Sequence, residues 1–366
     1  MRIRPTAQTI IAGDAGRAKA GLLFVENDKR CVMTRNNPVE SASHLRAAPT
    51  VLTVPDLDEA LDFFRRLGFR LEMIVPADAP HTALLSGQGV TLRLETVAAH
   101  IASADSMTDA PEFVISRQRD AVWHAGRAGM QYRDLIPGRL GGRFIASHIR
   151  IPDGGDVPDY VHYHKARFQM IYCKAGQARV VYEDQGPPFV LEAGDCVLQP
   201  PEIRHRVLES SPGLEVIEIG CPAIHETRAD HELELPTRQV LPERLFSGQR
   251  FVRHRASAAQ WTPWRLDGFR QRDTGIAAAT NGLAAARVVK ADSVVSANAS
   301  AHAGEFLFLF VLNGGLEIEC QAQSDYQLQT GDSCVIPASV DYTLHASAGL
   351  ELLEVSLPAS DEPSPE

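Results

Sequence analysis

Val161-His162-Tyr163-His164-Lys165-Ala166-Arg167-Phe168-Gln169-Met170-Ile171-Tyr172-Cys173 decides how this chain is read. Residues two apart in a strand face the same side, so His162 and His164 can point together while Tyr163 points away. After the tight connection Lys165-Ala166-Arg167, the run from Phe168 to Cys173 is a second strand that can bring Gln169 to the same point, with Ile171 and Cys173 sharing its inward parity. His205 arrives from a further segment, after a turn at Gly194 and the pair Pro200-Pro201. His162, His164, Gln169 and His205 thus form a candidate N3O metal-ligand set. Such donors accept Fe, Mn, Ni, Co, Zn or Cu, so ligand type alone does not select the metal.

Working outward, the segment belongs to one of two halves that echo each other. Arg133-Asp134 recurs as Arg272-Asp273, His164 as His302, Gly176 as Gly314, and Gly194-Asp195 with Pro200 as Gly331-Asp332 with Pro337, at near-constant spacing. Each copy contains short runs of Val, Ile, Leu, Phe and Tyr between Gly and Pro turns, without a long helix. That pattern predicts an all-β sandwich, barrel or jelly roll. In the second copy Ser300 and His302 stand where the His pair belongs, Leu307 at the Gln position and Tyr342 at the final His position. One working site in two barrels is the expectation.

The residues around His162 resemble the cupin family. Its first motif, G-x5-H-x-H-x3-4-E-x6-G, is matched by Gly155, His162, His164, Gln169 and Gly176, with one extra residue after Gly155 and Gln in place of Glu. The second, G-x5-P-x-G-x2-H-x3-N, is matched by Gly194, Pro200 and His205, with Glu202 and Glu209 at the second Gly and the Asn. The resemblance implies a mainly β fold of two double-stranded β-helix barrels, a bicupin, with one divalent metal ion near one mouth of the first. With Gln169 replacing the usual acid, neutral ligands leave the ion's charge uncompensated, which favours an anionic ligand.

Before the repeat, Pro49 to Thr96 reads as a βαβββ module. A strand at Thr50 to Val54 precedes Asp56-Leu57-Asp58-Glu59, which carries a helix N-cap and the acid of a capping box. Leu57, Ala60, Leu61, Phe64 and Leu67 lie on one helical face, Gly68 stops the helix, and three strands follow at Phe69 to Val75, Thr82 to Leu85 and Val90 to Glu95. The module resembles half of a glyoxalase-like, or vicinal-oxygen-chelate, domain. That resemblance would put metal ligands on the first and last strands, where Pro49 or Val51 and Glu95 fall. The reading is a metal-free module that pairs with a second copy in a homodimer, with His81 on a loop.

The boundaries expected are a poorly ordered extension at 1–47, the βαβββ module at 48–98, a linker at 99–122, the first cupin domain at 123–224, a linker at 225–250, the second, degenerate cupin domain at 251–358 and a tail at 359–366. A length of 366 residues allows several domains, and 44% hydrophobic with 22% charged residues can bury a core in each. A net charge of -10, with Arg interspersed among acids, argues against nucleic-acid or anionic-membrane partners and for a small anionic molecule. Six scattered cysteines (Cys31, Cys173, Cys196, Cys221, Cys320, Cys334) suggest no disulfide framework, which with the lack of a signal h-region implies a cytoplasmic protein.

Functionally, the resemblance implies a metal-dependent dioxygenase-type oxidoreductase, Fe(II) favoured, acting on a small oxygenated anion. The alternatives are a non-oxidative isomerase or lyase acting on a sugar acid and a sensing protein without turnover. Acid-base catalysis would fall to Tyr172, Tyr182, Glu202 or Glu209, and anion guidance to Arg167, Arg204 or Arg206.

Overall fold

Hydrophobic alternation along short strands yields a mainly β architecture. The computed structural model describes residues 48–97, 113–126, 129–320 and 325–359. The expected extension at 1–47, the expected linker as far as 112 and the tail from 360 lie outside the described residues. None of the helices described is long and apolar enough to cross a membrane.

The N-terminal module folds as βαβββ: Thr50–Val54, a helix Leu57–Arg66, then Arg70–Val75, Thr82–Gly87 and Val90–Thr96. The Asp56 side chain caps the helix by accepting from the Glu59 backbone N at 2.9 Å. Leu57, Ala60, Leu61 and Phe64 pack on Ile74, Ala83, Leu85 and Leu94. Leu67 departs from the expected stripe: the helix ends at Arg66, and Leu67, now the C-cap, is half exposed. Gly68 follows at φ +84, a conformation that costs glycine little.

The module does not stand apart from the first barrel. Arg70–Val75 pairs with Thr227–Ala229, which pairs in turn with His162–His164, so one sheet runs from the module into the barrel wall. Residues 225–250, expected as a linker, therefore supply a strand between them. That first sheet continues through His205–Ser210, Gln177–Tyr182 and Phe189–Glu192. Facing it is a sheet ordered Val252–His254, Cys196–Leu198, Phe168–Ala175, Leu214–Cys221, Ile145–Ile151, Gln131–Asp134 and His124–Ala125.

The second barrel repeats the plan. Ala285–Ala291, Phe306–Asn313 and Leu350–Leu357 match Ile145–Ile151, Phe168–Ala175 and Leu214–Cys221 in length and pairing. Even the register shift at Cys173/Ala175 recurs at Val311/Asn313.

The barrels also exchange strands. Val114–Ser116, which precedes the first barrel, pairs with Ser333–Val335 of the second, and Val252–His254, which precedes the second, pairs with Cys196–Leu198 of the first. Side chains repeat the reciprocity. Arg133 donates to Gly331 O at 2.9 Å and Arg272 to Gly194 O at 3.2 Å, while the Asp332 and Asp195 carboxylates accept from the backbone N of Gln118 and Ala256. The arginines of the repeated Arg-Asp pairs and the repeated Gly-Asp pairs are thus among the contacts that join the two copies, while Asp134 and Asp273 accept from Ile136 N and Gly275 N in their own turns. One continuous core lies between them, with Phe144 stacked on Phe306 at 4.1 Å.

Cys173, Cys196, Cys221, Cys320 and Cys334 are all buried free thiols, and Cys31 lies outside the described residues. Burial pushes the Cys173 and Cys196 thiols up to about 12, so neither is a thiolate at neutral pH.

The interface also holds histidines kept neutral by burial. His148 bonds Glu215 at 2.7 Å, and desolvation lowers its pKa, as it does that of His254. A histidine with a depressed folded pKa binds its proton more readily when unfolded. Its contribution is complete above about pH 6.5 and is lost as pH falls below that value. The thermal midpoint is accordingly expected to drop on acidification from about pH 7 to 5.5, before most carboxylates titrate; a level midpoint across that window would contradict this.

Candidate metal centre

The strand His162–His164 is short and buried on alternate residues, His162 and His164 inward and Tyr163 outward beneath Arg204. His162 lies directly opposite His205 in an antiparallel pair, so three imidazoles meet on one face. Ring centroids are 4.3 Å apart for His162 and His205, 5.2 Å for His162 and His164, and 5.3 Å for His164 and His205. One nitrogen from each ring falls within 4.8 Å of the others. Among the described residues this is the one such group of three or more His, Cys, Asp or Glu side chains.

Each ring is held at Nδ1. His162 Nδ1 bonds Tyr160 O at 2.8 Å, His205 Nδ1 bonds Ile203 O at 3.0 Å, and His164 Nδ1 meets Thr227 Oγ1 at 2.9 Å. A backbone carbonyl accepts, so Nδ1 of His162 and His205 carries the proton. That fixes the tautomer in which Nε2 has the lone pair a metal needs. Asp159 reinforces the arrangement, 3.5 Å from His162 Nδ1 and accepting from Val207 N at 3.0 Å.

Gln169 lines the same cavity. Its Nε2 donates to Glu218 Oε1 at 2.5 Å, which leaves Oε1 as the amide atom suited to a metal. Glu218 corrects the expectation of an uncompensated centre: a carboxylate stands one hydrogen bond from the ligand position, and Asp159 adds a second acid nearby. Sequence reading passed over Glu218, yet a signal existed. In Leu214-Glu215-Val216-Ile217-Glu218, the alternation puts Glu218 on the inward face with Leu214 and Val216, and an acid on a buried row needs a partner.

The three histidines, Gln169, Glu218, Gln199 and Tyr182 form one end of a cavity of about 90 Å³, and Met130, Ile149, Ile171, Val180, Leu191 and Val216 help form the rest. Cys173 is not on this wall; its thiol packs into the core near Ala175 and Gly176. Of the acid-base candidates only Tyr182 reaches the cavity. Burial raises its pKa and Gln199 Nε2 donates to its hydroxyl at 2.9 Å, so it stays a neutral phenol. Tyr172 packs between the barrels, Glu209 pairs with Arg179 on the surface, and Glu202 occupies a turn at φ +63. The arginines proposed to guide anions do not line the cavity either. Arg167 pairs with Glu305, Arg204 pairs with Asp230, and Arg206, next to His205, faces the other side of its strand.

In the second barrel the corresponding place is filled. Arg265 Nη2 donates to Glu354 Oε2 at 2.8 Å and to Tyr342 Oη at 3.3 Å, and Arg287 donates to the other Glu354 oxygen at 3.1 Å. Tyr342 and Glu354 occupy the positions of His205 and Glu218, so a guanidinium sits where the first barrel gathers ligands. His302 instead bonds Ile336 O through Nε2 at 2.9 Å. In the N-terminal module, Glu95 pairs with Arg93 at 2.6 Å, and no three-ligand group forms around it among the described residues.

Comparison with known proteins agrees with this architecture. The most similar solved structures include Bacillus subtilis oxalate decarboxylase, in a study of its Mn(II) centres, at 13% identity and TM-score 0.51, covering 70% of this chain and 79% of that one. A deletion mutant of that enzyme aligns at 14% identity and TM-score 0.51, covering 69% and 78%. Its structure at pH 4.6 aligns at 13% identity and TM-score 0.50, with the same coverage. At such identity the likeness concerns the fold. No curated protein matches the chain in sequence. Residues 147–219, which contain His162, His164, Gln169, His205 and Glu218, match the cupin domain family.

Proposed function

We propose that the first barrel binds one divalent metal ion through Nε2 of His162, His164 and His205 and Oε1 of Gln169, and that the protein is a metal-dependent oxidoreductase of dioxygenase type acting on a small oxygenated anion. The observation that carries this reading is the convergence of three imidazoles, each anchored at Nδ1, at the polar end of a largely apolar cavity. Neutral nitrogen donors at this spacing fit a first-row dication, and Fe(II) is favoured, with Mn, Ni, Zn, Co or Cu compatible.

When bound, such an ion supplies Lewis acidity and, for iron or manganese, one-electron redox chemistry. The chain's own residues do the rest. Tyr160 and Ile203 carbonyls and Thr227 hold the rings, Glu218 orients the Gln169 amide, and the apolar walls keep bulk water from the bound substrate. Glu202 and Glu209 lie on the surface, and the one wall carboxylate among the described residues, Glu218, is engaged by Gln169 Nε2, which favours oxidative chemistry over isomerisation.

Protein reconstituted anaerobically with Fe(II) is expected to consume oxygen on mixing with a small 2-oxo acid, dicarbonyl or catechol-like compound, read with an oxygen electrode. Turnover with Zn(II) in the absence of oxygen would instead point to isomerase or lyase chemistry through Glu218.

A further inference from the structure

The cavity beside the proposed metal site is graded along four of the strands that build it. Gln169 is followed inward by Ile171, Glu218 by Val216 and Leu214, His205 by Val207, and Tyr182 by Val180 and Ala178. Residues two apart share a face, so each row begins with a polar group and continues as hydrocarbon. The row on Gln177–Tyr182 extends four residues, about 13 Å.

Size and charge narrow the occupant. The volume of about 90 Å³ is smaller than the roughly 150 Å³ of a dry cavity that holds benzene, which leaves no room for a ligand much larger than benzene. Among the described residues neither Lys nor Arg lines the cavity, and the one carboxylate on its wall is Glu218. A second anionic group on a ligand would meet hydrocarbon or a like charge. The dication with Glu218 and, behind His162, Asp159 leaves no excess positive charge to hold a second anionic group.

Gln199 adds a polar requirement. It is buried on the cavity wall, its Nε2 donates to Tyr182 Oη, and its Oε1 has no partner. Whichever way the amide is turned, one end remains to be satisfied. A ligand hydroxyl or carbonyl would satisfy it.

We infer that the site takes a short-chain monoanion with two adjacent oxygen functions, such as a 2-hydroxy or 2-oxo carboxylate, oxygens toward the histidines and Gln199, hydrocarbon tail along Ile171, Val180 and Val216. This rests on the metal reading above, and the test separates the two. Full-length protein is loaded with Co(II), its metal content measured, and its visible spectrum titrated with glycolate, 2-hydroxybutyrate, malate and 2-hydroxyoctanoate, which share one chelating head.

The expected result is one bound Co(II) and binding of 2-hydroxybutyrate at least about tenfold tighter than malate or 2-hydroxyoctanoate. Ile171→Phe should weaken 2-hydroxybutyrate by about tenfold while leaving glycolate and Co(II) content unchanged. If that variant fails to fold, Val180→Leu serves the same comparison. Bound Co(II) with malate equal to or tighter than 2-hydroxybutyrate overturns the inference alone. No bound Co(II) overturns the metal reading, and the inference with it.

Discussion

His205→Ala is expected to reduce divalent-metal affinity by at least about a hundredfold, since a four-ligand site shares on the order of 10 kcal/mol among its donors. His205 is the ligand opposite His162 in register, so its loss opens the centre of the triad. Equilibrium dialysis followed by elemental analysis reads the outcome directly. His302→Ala, at the second barrel's remaining histidine, is the matched control and should leave the stoichiometry unchanged, because His302 already bonds Ile336 O. Equal metal content in His205→Ala and the unaltered protein would falsify the assignment.

Glu354→Leu should destabilise the fold by about 3–5 kcal/mol, because it removes the shared partner of two largely buried guanidinium groups, Arg265 and Arg287. Glu354 is 1% exposed, and burial leaves the two cations little water to replace it. Denaturant unfolding measures the change. Replacing all three residues together with apolar ones of similar volume should recover most of that loss, since a buried charge cluster often contributes little net stability against a hydrophobic replacement. If the triple variant is as unstable as Glu354→Leu, the cluster is itself stabilising and the explanation by unpaired charge is wrong. Metal binding in the first barrel should be unaffected in both.

Much of this architecture could be read from residue order because it rests on local periodicity. The His-x-His pair, the capped helix at Asp56 and the turn glycines each encode their own conformation within a few residues. The copy-to-copy spacing gave the two barrels before any pairing was known. Glu218 escaped because its meaning depends on Gln169, 49 residues away, and on a diagonal across neighbouring strands. The strand Thr227–Ala229 escaped for a different reason. It sits in a polar, acidic stretch, and only its neighbours on both sides make it a strand. Arg204 and Arg206 fail as anion guides because they flank His205 and strand parity turns them from the cavity, whereas Arg167 precedes the strand Phe168–Ala175 and pairs with Glu305.

The traded strands also change what counts as a unit of inheritance. Cutting the polypeptide between Asp230 and Leu245 would yield two pieces, each missing one sheet edge and each carrying the edge the other lacks. Each piece therefore needs the other to complete its sheet edge. A duplicated gene that began as an intertwined homodimer would leave this arrangement. Once fused, one copy could fill the place of the histidines with a guanidinium while still supplying the edge strand Val252–His254 to the barrel that keeps them.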